Sequence, residues 1–144
     1  MTITLHSRVE ADLQTVSQRF DAHLFRYLLP RGAKLLHFGG SKTGDTVHLE
    51  LPLAGEWLSE ITEDHQSENL NYFIDEGRTL PFPLKTWTHK HSLIRNGQGT
   101  TIEDKMTFST GTIISDVMTY PALLLSFLPR VWLYKRYFRV NSHR

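Results

Sequence analysis

"KTWTHKHSL", Lys85 to Leu93, is the stretch on which the reading of this chain turns. Counted by twos, Trp87, His89, His91 and Leu93 fall on one side and Thr86, Thr88, Lys90 and Ser92 on the other, the periodicity of a β-strand. One face of that strand is aromatic and titratable. Three uses of such a face are open: a metal site, an acid–base site, or the polar wall of a pocket.

The next segment narrows them. "GTTIEDKMTF", Gly99 to Phe108, alternates in the same way and puts Ile102, Asp104, Met106 and Phe108 on one face. Between the two runs "RNGQGT" supplies hairpin turn chemistry, and a turn centred near Gly97 brings Asp104 beside His89 or His91 on the inner face. A carboxylate beside an imidazole raises its pKa and orients the ring, as a general acid or base requires. The same pair is also what a buried histidine needs simply to be hydrogen-bonded. His89, His91 and Asp104 are therefore candidates for acid–base work, and none is firmly catalytic.

Metal is the weaker reading. Residues i and i+2 of a strand lie about 7 Å apart at Cα, so both imidazoles reach one ion. A third ligand would have to be Asp104, Asp75, Glu50 or His48, and spacing selects none of them. With no second local motif such as His-Glu-x-x-His, no metal and no other cofactor is expected. The sequence also has no serine elbow, no Gly-rich phosphate loop and no Cys.

Working outward, "TITLHSRVEA" alternates as a half-buried strand, and the period then becomes helical after Asp12 and again after Asp21, both plausible N-caps. From Lys34 to Thr110 the pattern predicts strands at 34–38, 46–51, 56–63, 69–76, 85–94 and 100–109, with connections short enough for antiparallel neighbours. After Gly111 one long helical element runs from about Ser115 to Arg139, bent at Pro121 and Pro129. Within it, "VMTYPALLLSFLPRVWLY" (117–134) is apolar over about the length a bilayer needs. Its prolines, Arg130 and basic end make it a mainly buried helix in this reading, with interfacial membrane contact a secondary one.

The expected architecture is α+β: a curved antiparallel sheet of seven strands, two short helices after the first strand, and a long C-terminal helix on the concave face. A strongly curved sheet does not close on a helix everywhere, so a cavity is expected between them. At 144 residues and 40% hydrophobic content, residues 1–144 read as one domain.

A formal net charge of +1 excludes the strongly basic surface of a nucleic-acid partner. Nine acidic residues and no Lys or Arg lie between Lys42 and Arg78, whereas Arg130, Lys135, Arg136, Arg139 and Arg144 crowd the C-terminus. Mixed charge is the normal surface condition, and docking of this basic run on an acidic partner or membrane is the alternative. "MTITLHSRVEADL" lacks a basic segment followed by an apolar one, which points to the cytoplasm.

Four ordered motifs carry a family likeness: Trp57 in "GEWLSEITE", Phe73 and Asp75 in "NYFIDEG", Trp87, His89 and His91 in "KTWTHKHSL", and Thr100 and Asp104 in "GTTIEDKMTF". Over Gly55 to Phe108 they resemble the helix-grip fold of the SRPBCC superfamily, which includes START lipid-transfer domains, the birch pollen allergen and polyketide cyclases. The likeness is to its bacterial ligand-binding branch. Leu80-Pro81, where relatives tend to carry Gly-Pro, and the two helix prolines depart from the pattern.

The resemblance implies a cytoplasmic bacterial protein that binds a lipid-, quinone- or polyketide-like molecule. Trp57, Phe73, Trp87, His89, His91, Asp104 and Phe108 would line or support the cavity, with Leu124, Phe127, Leu128 and Val131 capping it from the helix. Taken singly, Phe73 and Phe127 read as ordinary core. The alternative is a cyclase or dehydratase using a His–Asp pair in the same place.

Overall fold

Alternation of buried and exposed side chains along the N-terminal segment builds the first strand, β1 (Thr2–Val9), with Ile3, Ser7 and Val9 inward. Two short helices follow, α1 (Leu13–Gln18) and α2 (Ala22–Leu28). Each starts where the side chain of an aspartate accepts a backbone N–H: Thr15 N to Asp12 at 2.8 Å, Leu24 N to Asp21 at 3.1 Å. In this computed structural model residues 1–142 are described, with side chains to Arg139; Arg144 of the basic run lies outside them.

Six strands come next: β2 (Lys34–Phe38), β3 (Thr46–Leu51), β4 (Gly55–Gln66), β5 (Leu70–Thr79), β6 (Thr86–Asn96) and β7 (Gly99–Ser109). They form one seven-stranded sheet in the order β1-β7-β6-β5-β4-β3-β2, every neighbour antiparallel. β4 and β5 are longer than the periodicity predicts and absorb part of the expected turns at 65–68 and 77–83. Register shifts between Leu58 and Ser59 and between Ile61 and Glu63 interrupt their alternation, so a count by twos stops early.

The C-terminal element is bent into two segments, α3 (Ile113–Phe127) and α4 (Arg130–Ser142). α3 is capped by Thr112, whose hydroxyl accepts from Ser115 N. Pro121 is tolerated within α3, and the break falls at Leu128–Pro129, where proline removes a ladder donor. Leu128 keeps helical dihedrals, and the Pro129 carbonyl accepts from Leu133 N at 3.0 Å, so the chain bends without unwinding.

The bend divides the labour. α4 packs along β1 and against α2, burying Tyr134 and Phe138 completely in a core built with Phe20, Leu24, Phe25, Phe73 and Ile102. A second core of Ile3, Trp57, Leu84, Trp87, Met106 and Phe108 lies under α3, which approaches the sheet closely only near β7. The apolar 117–134 segment is not the mainly buried helix its composition predicts: Val117, Met118, Leu125 and Trp132 are exposed. α3 covers the sheet with one face and leaves the other to solvent. No helix among the described residues is long and apolar enough to cross a membrane.

Candidate functional site

β6 is a central strand, flanked by β5 and β7, and both partners send carboxylates toward its histidines. Register places His91 opposite Phe73 and Asp104, and His89 opposite Asp75 and Met106. Each imidazole bonds a diagonal carboxylate on a different side: Nε2 of His89 lies 2.8 Å from Oδ1 of Asp104, and Nε2 of His91 2.8 Å from Oδ2 of Asp75. Nδ1 of His91 is 3.4 Å from the same Asp104 oxygen. The two rings stack at 3.6 Å, and Phe73 stacks on the far side of His91 at 4.3 Å.

These contacts dictate the protonation pattern. Burial opposes ionisation of Asp104, but the hydrogen bond from His89 and the close approach of His91 outweigh it and hold the carboxyl well below the usual range. Asp75 is likewise lowered against its burial by His91. Burial works against a charge on His91 too, yet the nearby Asp104 carboxylate and the hydrogen bond to Asp75 raise its pKa, so one imidazolium sits between two carboxylates. Burial, reinforced by the charge on His91, lowers His89 to about 4. A neutral His89 facing the Asp104 carboxylate must carry its proton on Nε2, which leaves Nδ1 as a bare acceptor.

Folding stability inherits the sign. Below its ordinary value of 6.5 the unfolded His89 takes up a proton that the folded ring refuses until about 4. His91, raised, contributes stability that is already complete below 6.5 and is lost only as pH rises through its folded value. The carboxylates, lowered, lose their contribution only further into acid. Between about pH 6.5 and 4.5 the cluster's stability change therefore belongs to His89, a loss of about 2 kcal/mol as pH falls. Urea titrations should show this slope in the wild type and a flatter one in His89→Gln; equal slopes would remove the assignment.

Beside this cluster, between the sheet and α3, lies a cavity of about 320 Å³. Trp57, Phe73, Trp87, His89, His91 and Phe127 line it, as do Asp75, Ser59, Ile61, Leu123 and Arg130. Trp57 and Trp87 meet edge to face at 4.8 Å, and Phe127 stacks on Trp87 at 5.4 Å. Pro81, Phe82 and Pro83, next to the Leu80-Pro81 departure, form part of the wall, and Phe82 is almost wholly exposed.

Four expected lining positions and one expected polar one are corrected. Asp104 is fully buried behind the two imidazoles and acts on the cavity through them. Phe108 is sealed in the second core, where Trp87, its cross-strand partner, stands between it and the space. Leu124, Leu128 and Val131 do not reach the wall: they sit one position round the helix from the row Leu123, Phe127 and Arg130, which with Ser126 takes that role, and Leu124 packs on the second core instead.

Two charged wall residues escaped the sequence-based site. Asp75 shares the inward face of β5 with Phe73 at i+2, a signal that was present, but its bond to His91 needed the β5–β6 register. Arg130 read as part of a basic tail. It is the one cation between Val117 and Tyr134, and that isolation in an apolar run was the clue. Its guanidinium lies over the Phe127 ring at 4.8 Å and 4.0 Å from Asp104.

Asp75, His89 and His91 offer ligand atoms within 4.8 Å of one another, a possible metal triad. The geometry does not suit it. Two imidazoles stacked with planes 25° apart aim their lone pairs side by side, and each ring has an Nε2 bonded to a carboxylate.

Fold and site together define a helix-grip protein with an apolar cavity walled by a histidine–carboxylate ladder. No protein-family model matches the chain, and no curated protein matches it. Solved structures do. The protein XoxI from Bacillus cereus superposes with a TM-score of 0.71 at 15% identity over 99% of both chains. A protein from Nitrosospira multiformis gives 0.68 at 18% identity over the whole of both. A point mutant of norcoclaurine synthase from Thalictrum flavum, solved with a transition-state analogue, gives 0.66 at 11% over 99% of this chain and 96% of that one. At such identities the likeness is one of fold, and it agrees with the SRPBCC architecture the motifs resemble.

Proposed function

We propose that the protein binds a hydrophobic small molecule in the cavity between the sheet and α3. The observation that carries this reading is the cavity itself, about 320 Å³ of mainly apolar wall carrying a few polar side chains, among them Ser59, Asp75, His89, His91 and Arg130. Specific small-molecule sites have this make-up, with apolar area for affinity and a few polar groups for orientation. The volume equals that of about ten waters. It suits a compact ligand of polyketide-like ring size better than a long lipid or isoprenoid chain, whose tail would have to leave past Phe82.

The test is titration with the neutral apolar dye N-phenyl-1-naphthylamine. Saturable binding to the native protein is expected, and Leu123→Trp, which adds bulk from α3 into the space, should weaken it at least tenfold while the circular dichroism stays native. Unchanged affinity in that variant would sink the reading.

A second reading has one specific observation behind it, the His89–Asp104 pair with His89 on the cavity wall. Such a pair could move a proton on a bound enol, as in a cyclase or dehydratase. Binding remains the leading reading because burial holds His89 near 4, which makes it a weak base at neutral pH and a good fixed acceptor.

A further inference from the structure

α3 covers the cavity with one face, and its other face is apolar where a surface helix is ordinarily polar. Ile114, Met118 and Leu125 are 73%, 76% and 69% exposed, and with exposed Pro121 they form one stripe at helical spacing. Trp132, seven residues beyond Leu125 and 61% exposed, continues the stripe into α4. Exposed Lys135 and Arg136 follow it at i+3 and i+4. No charge interrupts the apolar part. Asp116 is buried, its carboxylate accepting from the backbone N–H and the hydroxyl of Thr110, and Arg130 faces the cavity.

A contiguous exposed apolar surface of this kind marks an interaction site, and charge selects the occupant. Asp116 is the only acid between Ile113 and Arg139, so this face presents cations with no exposed carboxylate beside them. The nine acids between Lys42 and Arg78 lie on β3, β4, β5 and the turns next to them. A second copy of the chain would cover the apolar stripe, but its own copy of this face has no acid to offer the cations. An anionic bilayer answers all three parts at once. Acyl chains take Met118 and Leu125, the headgroup boundary takes the indole of Trp132, and lipid phosphates take Lys135 and Arg136.

We propose that α3 and the start of α4 dock on an anionic membrane surface, with Ile114, Met118, Leu125 and Trp132 in the lipid and Lys135 and Arg136 against its headgroups. Ala122 and Ser126, exposed neighbours of that stripe, belong to the cavity wall, so the docked face borders the cavity. Docking itself stands independently of what the cavity holds.

Vesicle sedimentation tests it, comparing pure phosphatidylcholine with phosphatidylcholine that contains about one-third phosphatidylglycerol. Wild-type protein should bind the mixed vesicles at least about tenfold more tightly. The double substitution Met118→Asp and Leu125→Asp, at exposed positions outside both cores, should abolish binding to either vesicle. Lys135→Glu with Arg136→Glu should remove the anionic preference and its sensitivity to salt. Absence of wild-type binding to the mixed vesicles would overturn the proposal, and so would binding that either pair of substitutions leaves unchanged. Sedimentation velocity without lipid addresses the competing occupant: a dimer that the aspartate pair dissociates, in protein that ignores the vesicles, would give the face to a second copy and overturn membrane docking.

Discussion

Replacing Asp104 by asparagine is expected to destabilise the protein by about 3–5 kcal/mol, the range seen when one partner of a buried ion pair is removed. The carboxylate is 1% exposed, accepts from His89 at 2.8 Å and faces both His91 and Arg130. Asparagine keeps the volume and loses the charge, so the imidazolium of His91 is left with Asp75 alone. Denaturant titration measures the loss, and an imidazole NMR titration should show the His91 pKa falling. A loss below about 1 kcal/mol would mean that the ladder is not ionised as described.

Phe108→Ala should be comparably severe for a different reason. The ring is 1% exposed and packs in the core under α3 opposite Trp87, so truncation leaves a void among side chains that cannot close it. Phe→Ala changes of this kind cost about 3–5 kcal/mol. Since Trp87, not Phe108, forms the wall, affinity for the apolar dye should stay within about twofold of wild type in protein that remains folded. Loss of affinity without loss of stability would reverse the placement of the two residues.

The contrast between these substitutions shows what was legible. Alternation in "KTWTHKHSL" and "GTTIEDKMTF" sufficed to put His89, His91 and Asp104 on one face, because a hairpin couples neighbouring segments through a turn only two residues long, Gln98 and Gly97 lying between the paired Asn96 and Gly99. What lies inward is set by a period of two, but what lies inward at a void rather than inside a core is not. Phe108 and Trp87 share an inner face and a register position, yet Trp87 on β6 lines the cavity and Phe108 on β7 does not.

Asp75 and Arg130 mark the same limit over longer distances. The bond from His91 to Asp75 depends on β5 meeting β6 in one register, after two irregularities in β4–β5 pairing that local periodicity does not announce. Arg130 falls at helical spacing from Leu123 and Phe127, and it meets the cavity because that face of the element lies over the sheet. The prolines made a bend legible; its direction was not, since it is decided by which core α4 fills with Tyr134 and Phe138.

By itself, then, the sequence determined the strands, their antiparallel neighbours, the two aspartate-capped helices and the inward set of aromatic and titratable side chains. These follow from local dihedral preferences and from short turns that leave few alternatives. Tertiary structure alone decided which histidine is neutral and which charged, because that depends on how many carboxylates surround each ring in a medium where water cannot screen them. It also decided that a cavity stands beside them, because space is what remains when a curved sheet and a bent helix have each satisfied their own packing.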